Sequence, residues 1–414
     1  MQYLRSQHSL DPPGLRNRAT RASRSVASTR PAQASIPCFQ PAIGEEEIAA
    51  ATAVLRSGWL TTGPKVREFE QKFAAFMGDG IEAVAVNSAT AGLHLAAEAC
   101  GIGPGDEVIV PTLTFTATAS VIRYLGAEVV LVDVEEGTRC IDLEHAERRL
   151  TPRCKAIIPV HFGGLPCDMT KVLAFARRHG LKVIEDAAHA LPARCDDRLI
   201  GSWDSHACVF SFYASKPITT GEGGMIVTRD PKIAARARVM RTHGLDRDAF
   251  DRFRKVGASW TYDVVAPGFK YNLTDVAAAI GVVQLSRAES LQASRQRAAE
   301  RYLKKLAGLP IECPASAPPG GLNAWHMFPI HIHESAPANR DDLIAVLTAQ
   351  GIGTSVHYRP LHEMTYWKER YRCEPSEFTV ASRYFAGAVT LPLFAGMTDA
   401  QVDRVAAVVR EVLG

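Results

Sequence analysis

Val183-Ile-Glu-Asp-Ala-Ala-His-Ala190 is a short apolar run that ends in charged and polar residues. Ala207–Phe210 is a second such run, and it leads directly into Ser211-Phe-Tyr-Ala-Ser-Lys216. Apolar runs of this kind are typical of buried parallel strands, which deliver side chains at their carboxyl ends. We therefore expect an Asp, a His, a Ser and a Lys to meet at one edge of a sheet.

These polar residues match the needs of pyridoxal phosphate. The cofactor needs an amine to hold its aldehyde as a Schiff base, a carboxylate to keep its pyridine nitrogen protonated, and donors for its phosphate. Lys216, Asp186 and Ser211 can fill these three roles. Taken singly, an Asp after a strand often caps a helix, and a Lys before Pro217 is usually a solvated loop residue. The run Gly221-Glu-Gly-Gly224 favours the cofactor, because small residues let the backbone pass close to a buried ligand.

The composition predicts a globular enzyme. A chain of 414 residues is long enough for two domains, and 47% apolar with 22% charged residues is ordinary for a soluble fold. The net charge of +3 is small for this length and argues against nucleic acid as a partner. No apolar run approaches the roughly 18 residues that span a bilayer.

The cysteines indicate a reducing compartment. There are nine, with no C-x-x-C pair, and several lie in apolar runs. This usage is typical of core thiols in a cytosolic protein, so we expect a cytoplasmic location and no disulfide framework or metal site.

The first residues differ from the rest of the chain. Residues 1–38 place arginines among Ser, Ala, Thr and Pro, with Asp11 as an acid. This composition resembles a transit peptide, and a disordered tail or an early start codon is equally consistent with it. We divide the remainder into a large domain, residues 39–290, and a small C-terminal domain, residues 291–414.

Strand-like and helix-like segments alternate in the large domain. Strands are predicted at Asp106–Pro111, Ala127–Val134, Ala156–His161 and Met225–Thr228, with helical segments such as Thr170–His179 between several of them. This alternation predicts an open α/β sheet with parallel character, whose ligand lies in the crevice at the strand ends.

Three further places are candidates for ligand contact. A strand that turns through Asn87, Ser88 and Thr90 into a helix offers free backbone N–H groups to a phosphate, although the same residues make good helix caps. Phe115, at the end of another strand, can stack on a planar ring. Trp59 lies in a loop rich in glycine and either packs in the core or lines the site.

From about Pro41 to its end the chain resembles the DegT/DnrJ/EryC1/StrS family of sugar aminotransferases. Several separate motifs occur in the right order. They are Ser57-Gly-Trp-Leu-Thr-Thr-Gly-Pro64, Gly103-Pro-Gly-Asp-Glu-Val108, Ile184-Glu-Asp-Ala-Ala-His-Ala190, Ser211 to Lys216 with Gly221-Glu-Gly-Gly224, and Asn272-Leu-Thr-Asp275. The fold implied is α/β, of the aspartate-aminotransferase type (pyridoxal-phosphate fold type I). It comprises a large mixed, mostly parallel sheet domain and a small C-terminal α/β domain.

The resemblance also implies roles for individual residues. Lys216 is expected to form the Schiff base, Asp186 to pair with the pyridine nitrogen, and Phe115 and His189 to flank the ring. The expected phosphate contacts are Ser211, Ala89 and Thr90, joined by Asn272 from a second subunit. A homodimer with shared sites is therefore implied. The candidate substrate contacts are Trp59, His357 and Tyr358.

The implied reaction moves an amino group from glutamate to a keto group of a nucleotide-linked sugar. Pro267–Ala279, Ala324–Phe328 and Gly351–Thr354 are most similar to the branch that aminates UDP-4-keto-pentose to UDP-4-amino-4-deoxy-L-arabinose. Val356–Pro360 departs from that branch, and Tyr213 stands where members often have His. The amino sugar is expected to serve lipopolysaccharide or a glycosylated metabolite.

Two other functions remain open from the sequence. One is a sugar dehydratase of the same family, in which His replaces the lysine, so that Lys216 argues against it. The other is a pyridoxal-phosphate-binding regulator without turnover, which the set of Lys216, Asp186 and Ser211 argues against.

Overall fold

The structure, a computed structural model, describes residues 34–246 and 261–414. Most of the expected N-terminal extension, up to residue 33, lies outside the described residues. Ser35–Gly414 forms one compact unit. Ile36 falls within the expected extension, yet it is buried and its backbone N–H donates to the carbonyl of Gly351 at 2.9 Å. Ile36 is therefore part of the folded unit, although the expected extension included it.

The central sheet has seven strands in the order β1-β9-β8-β5-β4-β2-β3. Its strands are β1 (Glu82–Val86), β2 (Glu107–Pro111), β3 (Glu128–Val132), β4 (Cys154–Ile157), β5 (Lys182–Asp186), β8 (Ala207–Ser211) and β9 (Gly224–Thr228). β9 is antiparallel to both of its neighbours, and the other pairings are parallel. The predicted mostly parallel α/β sheet is thus confirmed. The carboxyl ends of β1, β2, β5 and β8 lie at one edge, with the amino end of β9.

Both faces of this sheet are buried, which explains the continuous apolar runs in its strands. Successive residues of a strand point to opposite faces. Ala83 and Ala85 belong to one apolar cluster, whereas Val84 and Val86 belong to another. The ends of β5 and β8 present the polar groups of Asp186 and Ser211.

Helices cover the sheet on either side and continue into the C-terminal part. The described α-helices are Glu45–Ser57, Pro64–Met77, Ala89–Ala99, Ala117–Tyr124, Leu143–Arg149, Met169–His179, Pro231–Met240, Asp275–Ser286, Ala288–Leu306, Arg340–Ala349, Thr365–Tyr371, Thr379–Gly387 and Asp399–Leu413. Short 3-10 turns lie at Phe162–Gly164, Leu361–Glu363 and Pro375–Glu377. A two-stranded ribbon joins β6 (Arg194–Cys195) to β7 (Arg198–Leu199).

The C-terminal part has a sheet and an apolar cluster of its own. β10 (Ile311–Glu312), β11 (Phe328–Ile332) and β12 (Ala388–Leu391) form an antiparallel sheet. Tyr302 and Val405 pack in the cluster beside it, together with Ile36. On this packing we propose that residues 291–414, joined by Ile36, correspond to the expected small domain. In the described part of the chain no helix is long and apolar enough to cross a membrane.

Candidate active site

The polar residues predicted to meet at one edge of the sheet do so. Asp186 ends β5, Ser211 ends β8, and the two strands are neighbours. Lys216 follows Ser211 in a short turn, in which its N–H donates to the carbonyl of Tyr213 at 2.9 Å. The edge of the sheet thus gathers a carboxylate, a hydroxyl and an amine.

Lys216 presents its amine beside a buried histidine. Its Nζ atom lies 3.4 Å from Nε2 of His326. Burial lowers the pKa of the Lys216 amine to about 8, and the charge of Asp186 opposes this shift. A large fraction of the amine is therefore neutral slightly above neutral pH, as a nucleophile and base requires.

Asp186 is a buried carboxylate held by two donors. The hydroxyl of Thr118 donates to Oδ2 at 2.8 Å, and the N–H of Ala188 donates to Oδ1 at 3.1 Å. Burial raises the pKa of Asp186, while these hydrogen bonds and the charge of Lys216 oppose the rise. A cation placed against this carboxylate, such as a protonated pyridine nitrogen, would keep it ionised.

His189 has a defined proton position. The N–H of Gly163 donates to Nδ1 of His189 at 3.3 Å, and burial holds the pKa of the ring well below its usual range. A neutral imidazole whose Nδ1 accepts must carry its proton on Nε2. This Nε2 atom lies 3.2 Å from the hydroxyl oxygen of Tyr358 and donates to it. The Tyr358 hydroxyl keeps its own proton, because burial and then the charge of Asp186 raise its pKa.

The predicted phosphate contacts lie together around Gly224. This glycine pairs with Ser211 in the sheet. A Cβ built on it would lie 2.8 Å from the N atom of Ala89, at the start of the helix Ala89–Ala99. The side chain of Ser88 caps that helix by accepting from Ala91. The first N–H groups of the helix, those of Ala89 and Thr90, have no partner within the helix and can bind an anion.

Phe115, Tyr358 and His357 form a group of rings next to His189. The rings of Phe115 and Tyr358 are 6.1 Å apart between centroids, and Tyr358 is stacked with His189 at the same distance. His357 contacts the hydroxyl of Thr390 at 2.8 Å, and burial with the charge of Lys216 lowers its pKa to about 4. A cavity of about 270 Å³ opens here, lined by residues that include Tyr213, Ser215, His326 and His357.

Asn272 and Trp59 both contact the loop 58–63, and Asn272 also pairs with Val86, two residues before Ser88. The Nδ2 atom of Asn272 donates to the hydroxyls of Thr62 at 2.7 Å and Thr61 at 3.3 Å. Nε1 of Trp59 donates to the carbonyl of Thr62 at 3.4 Å. The helix that follows Asn272 is capped by the side chain of Thr274 and not by Asn272.

Several residues of the site were not predicted as site residues. His326 lies beside Lys216, and Nη2 of Arg295 donates to the carbonyl of Lys216 at 3.3 Å. Thr118 contacts Asp186, and the N–H of Gly163 contacts His189. All of them lie far along the chain from the residue that they contact. His326 is part of Ala324–Phe328, a segment that is similar to a branch of the family but whose sequence does not predict a contact with Lys216.

These residues fit pyridoxal phosphate. The amine of Lys216 has a lowered pKa, the buried carboxylate of Asp186 gains from a cationic partner, and a helix start faces Ser211 across Gly224. Amine, carboxylate and anion site are the three groups that the cofactor requires. The neutral rings of His189 and Tyr358 provide aromatic surface beside them.

Comparisons with known proteins agree with this fit. The family described as the DegT/DnrJ/EryC1/StrS aminotransferase family matches residues 41–410. The spore coat polysaccharide biosynthesis protein SpsC of Bacillus subtilis (strain 168) is 44% identical over 380 residues, which cover 91% of this chain and 97% of SpsC.

Solved structures share the fold over nearly the whole chain. Spr1654 from Streptococcus pneumoniae, assigned as a sugar aminotransferase, has a TM-score of 0.84 in its PLP form at 31% identity, covering 92% of this chain and 100% of Spr1654. Its PMP form is also known. PseC from Helicobacter pylori, an aminotransferase involved in the biosynthesis of pseudoaminic acid, has a TM-score of 0.84 at 26% identity, covering 92% of this chain and 99% of PseC. The chain therefore belongs to the DegT/DnrJ/EryC1/StrS family and is a pyridoxal-phosphate-dependent sugar aminotransferase.

Proposed function

We propose that this aminotransferase takes its amino group from glutamate and gives it to a 4-keto group of a nucleotide-linked sugar. The observation that carries the proposal is the amine of Lys216, with its lowered pKa, beside the buried carboxylate of Asp186 and the cavity lined by Tyr213, His326 and His357. A cavity lined by His326, which contacts the amine of Lys216, suits a reaction in which donor and acceptor use the same site in turn.

Some of the site residues bind the cofactor, and Lys216 also transfers protons. Pyridoxal phosphate, when bound, supplies an aldehyde that carries the amino group and a ring that accepts the electron pair of the broken Cα–H bond. Lys216 would hold the aldehyde through Nζ, and its free amine would take the Cα proton and return it. The Asp186 carboxylate would hold a proton at the ring nitrogen. The N–H groups of Ala89 and Thr90, with the Ser211 hydroxyl, would bind the phosphate.

The choice of sugar rests on sequence segments, and the names of relatives support a role in polysaccharide or amino-sugar biosynthesis. Pro267–Ala279 and Ala324–Phe328 are similar to the UDP-4-keto-pentose branch. The relative SpsC is named for spore coat polysaccharide biosynthesis, and PseC for pseudoaminic acid. We therefore propose a UDP-linked 4-keto-pentose as acceptor, with the amino sugar used in lipopolysaccharide or another glycosylated product of the cytoplasm.

The two half-reactions test donor and acceptor separately. Glutamate, glutamine, aspartate and alanine are each mixed with the PLP form, and conversion to the PMP form is followed by absorbance. The PMP form is then offered UDP-, dTDP- and GDP-linked keto sugars, and products are identified by mass. We expect glutamate and a UDP-4-keto-pentose to react fastest. Preference for another donor would refute the glutamate assignment, and amination of only dTDP or GDP sugars would refute the acceptor.

We further propose that the protein is a homodimer in which Asn272 of one subunit binds the cofactor phosphate of the other. Large apolar side chains at the start of the packed chain are exposed, including Ile48 at 51% and Leu55 at 57% on one helix. Such a surface is typical of a protein interface.

Mixing two defective variants tests the shared site. A Lys216→Ala chain paired with an Asn272→Ala chain forms one site with both defects and one with neither, if the sites are shared across a two-fold axis. We expect mixing to restore activity above both parents. No gain after demonstrated subunit exchange, with Asn272→Ala impaired alone, would exclude the shared site.

A further inference from the structure

His326 lies two residues before strand β11, and its side chain reaches the amine of Lys216. Nε2 lies 3.4 Å from Nζ, and the residue is 7% exposed. Its ring centroid lies 4.6 Å from that of His189, with 38° between the ring planes. A ring confined in this way has a defined position relative to the amine.

The ring of His326 is neutral. Burial lowers its pKa well below the usual range, and the charges of Lys216 and Arg295 act in the same direction. A neutral imidazole has one N–H donor and one lone pair. Because Nε2 faces Lys216, the tautomer of the ring determines whether Nε2 offers the amine a lone pair or an N–H group.

The charge of Lys216 determines the tautomer of His326. With a pKa of about 8, the amine is mostly an ammonium group at pH 7, and an ammonium group can only donate. Nε2 of His326 must then accept, which places the proton on Nδ1. Within residues 34–246 and 261–414 no group hydrogen-bonds to Nδ1, so nothing there imposes the other tautomer.

Arg295 holds the other end of the same lysine. Its Nη2 donates to the carbonyl of Lys216 at 3.3 Å, and the residue is 3% exposed. Burial lowers the pKa of the guanidinium to about 10, and its Nε has no hydrogen-bond partner among the described residues. This buried cation helps to keep His326 neutral while it fixes the backbone of Lys216.

We propose that His326 is a catalytic partner of Lys216, which accepts one N–H of the amine at Nε2 and so aims the lone pair of Nζ at the reacting carbon. When the donor's Cα–H bond breaks, that lone pair forms the new N–H bond, and the bonding electrons pass to the cofactor. His326 gains and loses no proton. The same orientation serves the sugar half-reaction, in which Nζ returns a proton.

Two substitutions separate the accepting nitrogen from the packing of the ring. His326→Phe keeps an aromatic ring against His189 but removes the acceptor, whereas His326→Gln supplies a carbonyl oxygen that can accept. We expect His326→Phe to lower the maximal rate constant of each half-reaction by about 10- to 100-fold, as misorientation of a reacting group does. The substrate concentration that gives half of this rate should change little. With Cα-deuterated glutamate, the isotope effect of His326→Phe should rise, and His326→Gln should recover most of the lost rate.

Three results of these experiments would overturn the proposal. Wild-type rates in His326→Phe would show that the contact does not matter. Slowing of only one half-reaction would make His326 a contact for that substrate. A His326→Gln variant as slow as His326→Phe, with an unchanged isotope effect, would assign the loss to packing.

A measurement on the unsubstituted protein reports the tautomer of His326 directly. In the PMP form Lys216 is free, and nitrogen-15 NMR of histidine-labelled protein reports which ring nitrogen is protonated. The His326 signals are identified by their loss in either variant. We expect a neutral ring protonated on Nδ1; a ring protonated on Nε2 would contradict the proposal, because that N–H would occupy the lone pair of the amine.

Discussion

The hydroxyl of Thr118 donates a 2.8 Å hydrogen bond to Oδ2 of Asp186 and so joins the helix Ala117–Tyr124 to the end of β5. Thr118 is fully buried, so water does not compete for this contact. The hydrogen bond lowers the pKa of Asp186 against the effect of burial. Thr118 therefore supports the ionised carboxylate that the cofactor nitrogen requires.

Removing this hydroxyl should slow proton abstraction. Thr118→Val keeps the shape of the side chain but raises the pKa of Asp186 further. We expect kcat for the glutamate half-reaction to fall about 10-fold, or roughly 1.4 kcal/mol, near the lower end for a hydrogen bond to a charged group. Thr116→Val is the matched control, since that hydroxyl contacts Ser120 and Trp367 instead. Equal rates in the Thr118 variant and the wild type would show that Asp186 does not depend on the contact.

The pKa of Lys216 predicts a pH profile. Only the neutral amine takes up a proton or reacts with an electrophile, so its reactivity should rise with pH through about 8. The charge of Asp186 raises this pKa, so Asp186→Asn should move the rise to lower pH. Modification of Lys216 by an amine-directed reagent in cofactor-free protein, followed by peptide mass, measures it with the exposed Lys72 as an internal reference. A rise centred near 10 in the wild type would mean that burial does not control this amine.

The phosphate site should be sensitive to a single methyl group at Gly224. A Cβ there would lie 2.7 Å from the carbonyl carbon of Ser88 and 2.8 Å from the N atom of Ala89, which are backbone atoms that cannot swing away. We expect Gly224→Ala to weaken cofactor binding about 10-fold or more by shifting the helix start. Gly103→Ala, where nothing lies within 4 Å of the added atom, is the control. Titration with pyridoxal phosphate distinguishes the two, and equal affinities would place the phosphate elsewhere.

A buried pair behind the site should determine stability. Nε2 of His161 lies 3.1 Å from Oε2 of Glu185, and both side chains are fully buried. The N–H of Cys167 donates to Nδ1 of His161, which fixes the proton on Nε2. We expect His161→Phe to lower the free energy of unfolding by about 3–5 kcal/mol, because a buried carboxylate loses a donor.

An exposed ion pair serves as the control for that loss. Lys72→Ala removes a contact with Glu68 from a side chain that is 55% exposed, and should cost about 0–1 kcal/mol. Urea unfolding followed by circular dichroism measures both variants. A His161→Phe protein as stable as Lys72→Ala would show that the buried pair contributes little.

The sequence predicted the strands and the residues at their ends because both are local patterns. The apolar runs that begin at Val183 and at Ala207 lie within β5 and β8, which end at Asp186 and Ser211. The stretch from Asp275 to Leu306 is two helices, since the first ends at Ser286 and the next begins at Ala288. Composition does not reveal such a break when both sides favour helix.

Contacts between distant residues could not be predicted in this way. The helix Pro64–Met77 has no cap in its own sequence; Asp275 accepts from the N–H groups of Gly63, Lys65 and Val66 instead. His326 reaches Lys216 in the same manner, from a segment with no pattern of its own. The spacing of apolar residues and the local capping residues specify helices and strands. The neighbours of a catalytic group depend instead on how these helices and strands pack together.

Reduction of the cofactor-loaded protein with borohydride tests the central claim most directly. The reagent makes the bond between pyridoxal phosphate and its lysine permanent, and peptide mass then locates the modified residue. We predict that the pyridoxyl phosphate mass is found on Lys216, and that Lys216→Ala protein carries none. Modification of another lysine in the wild type, with Lys216 unmodified, would contradict the account.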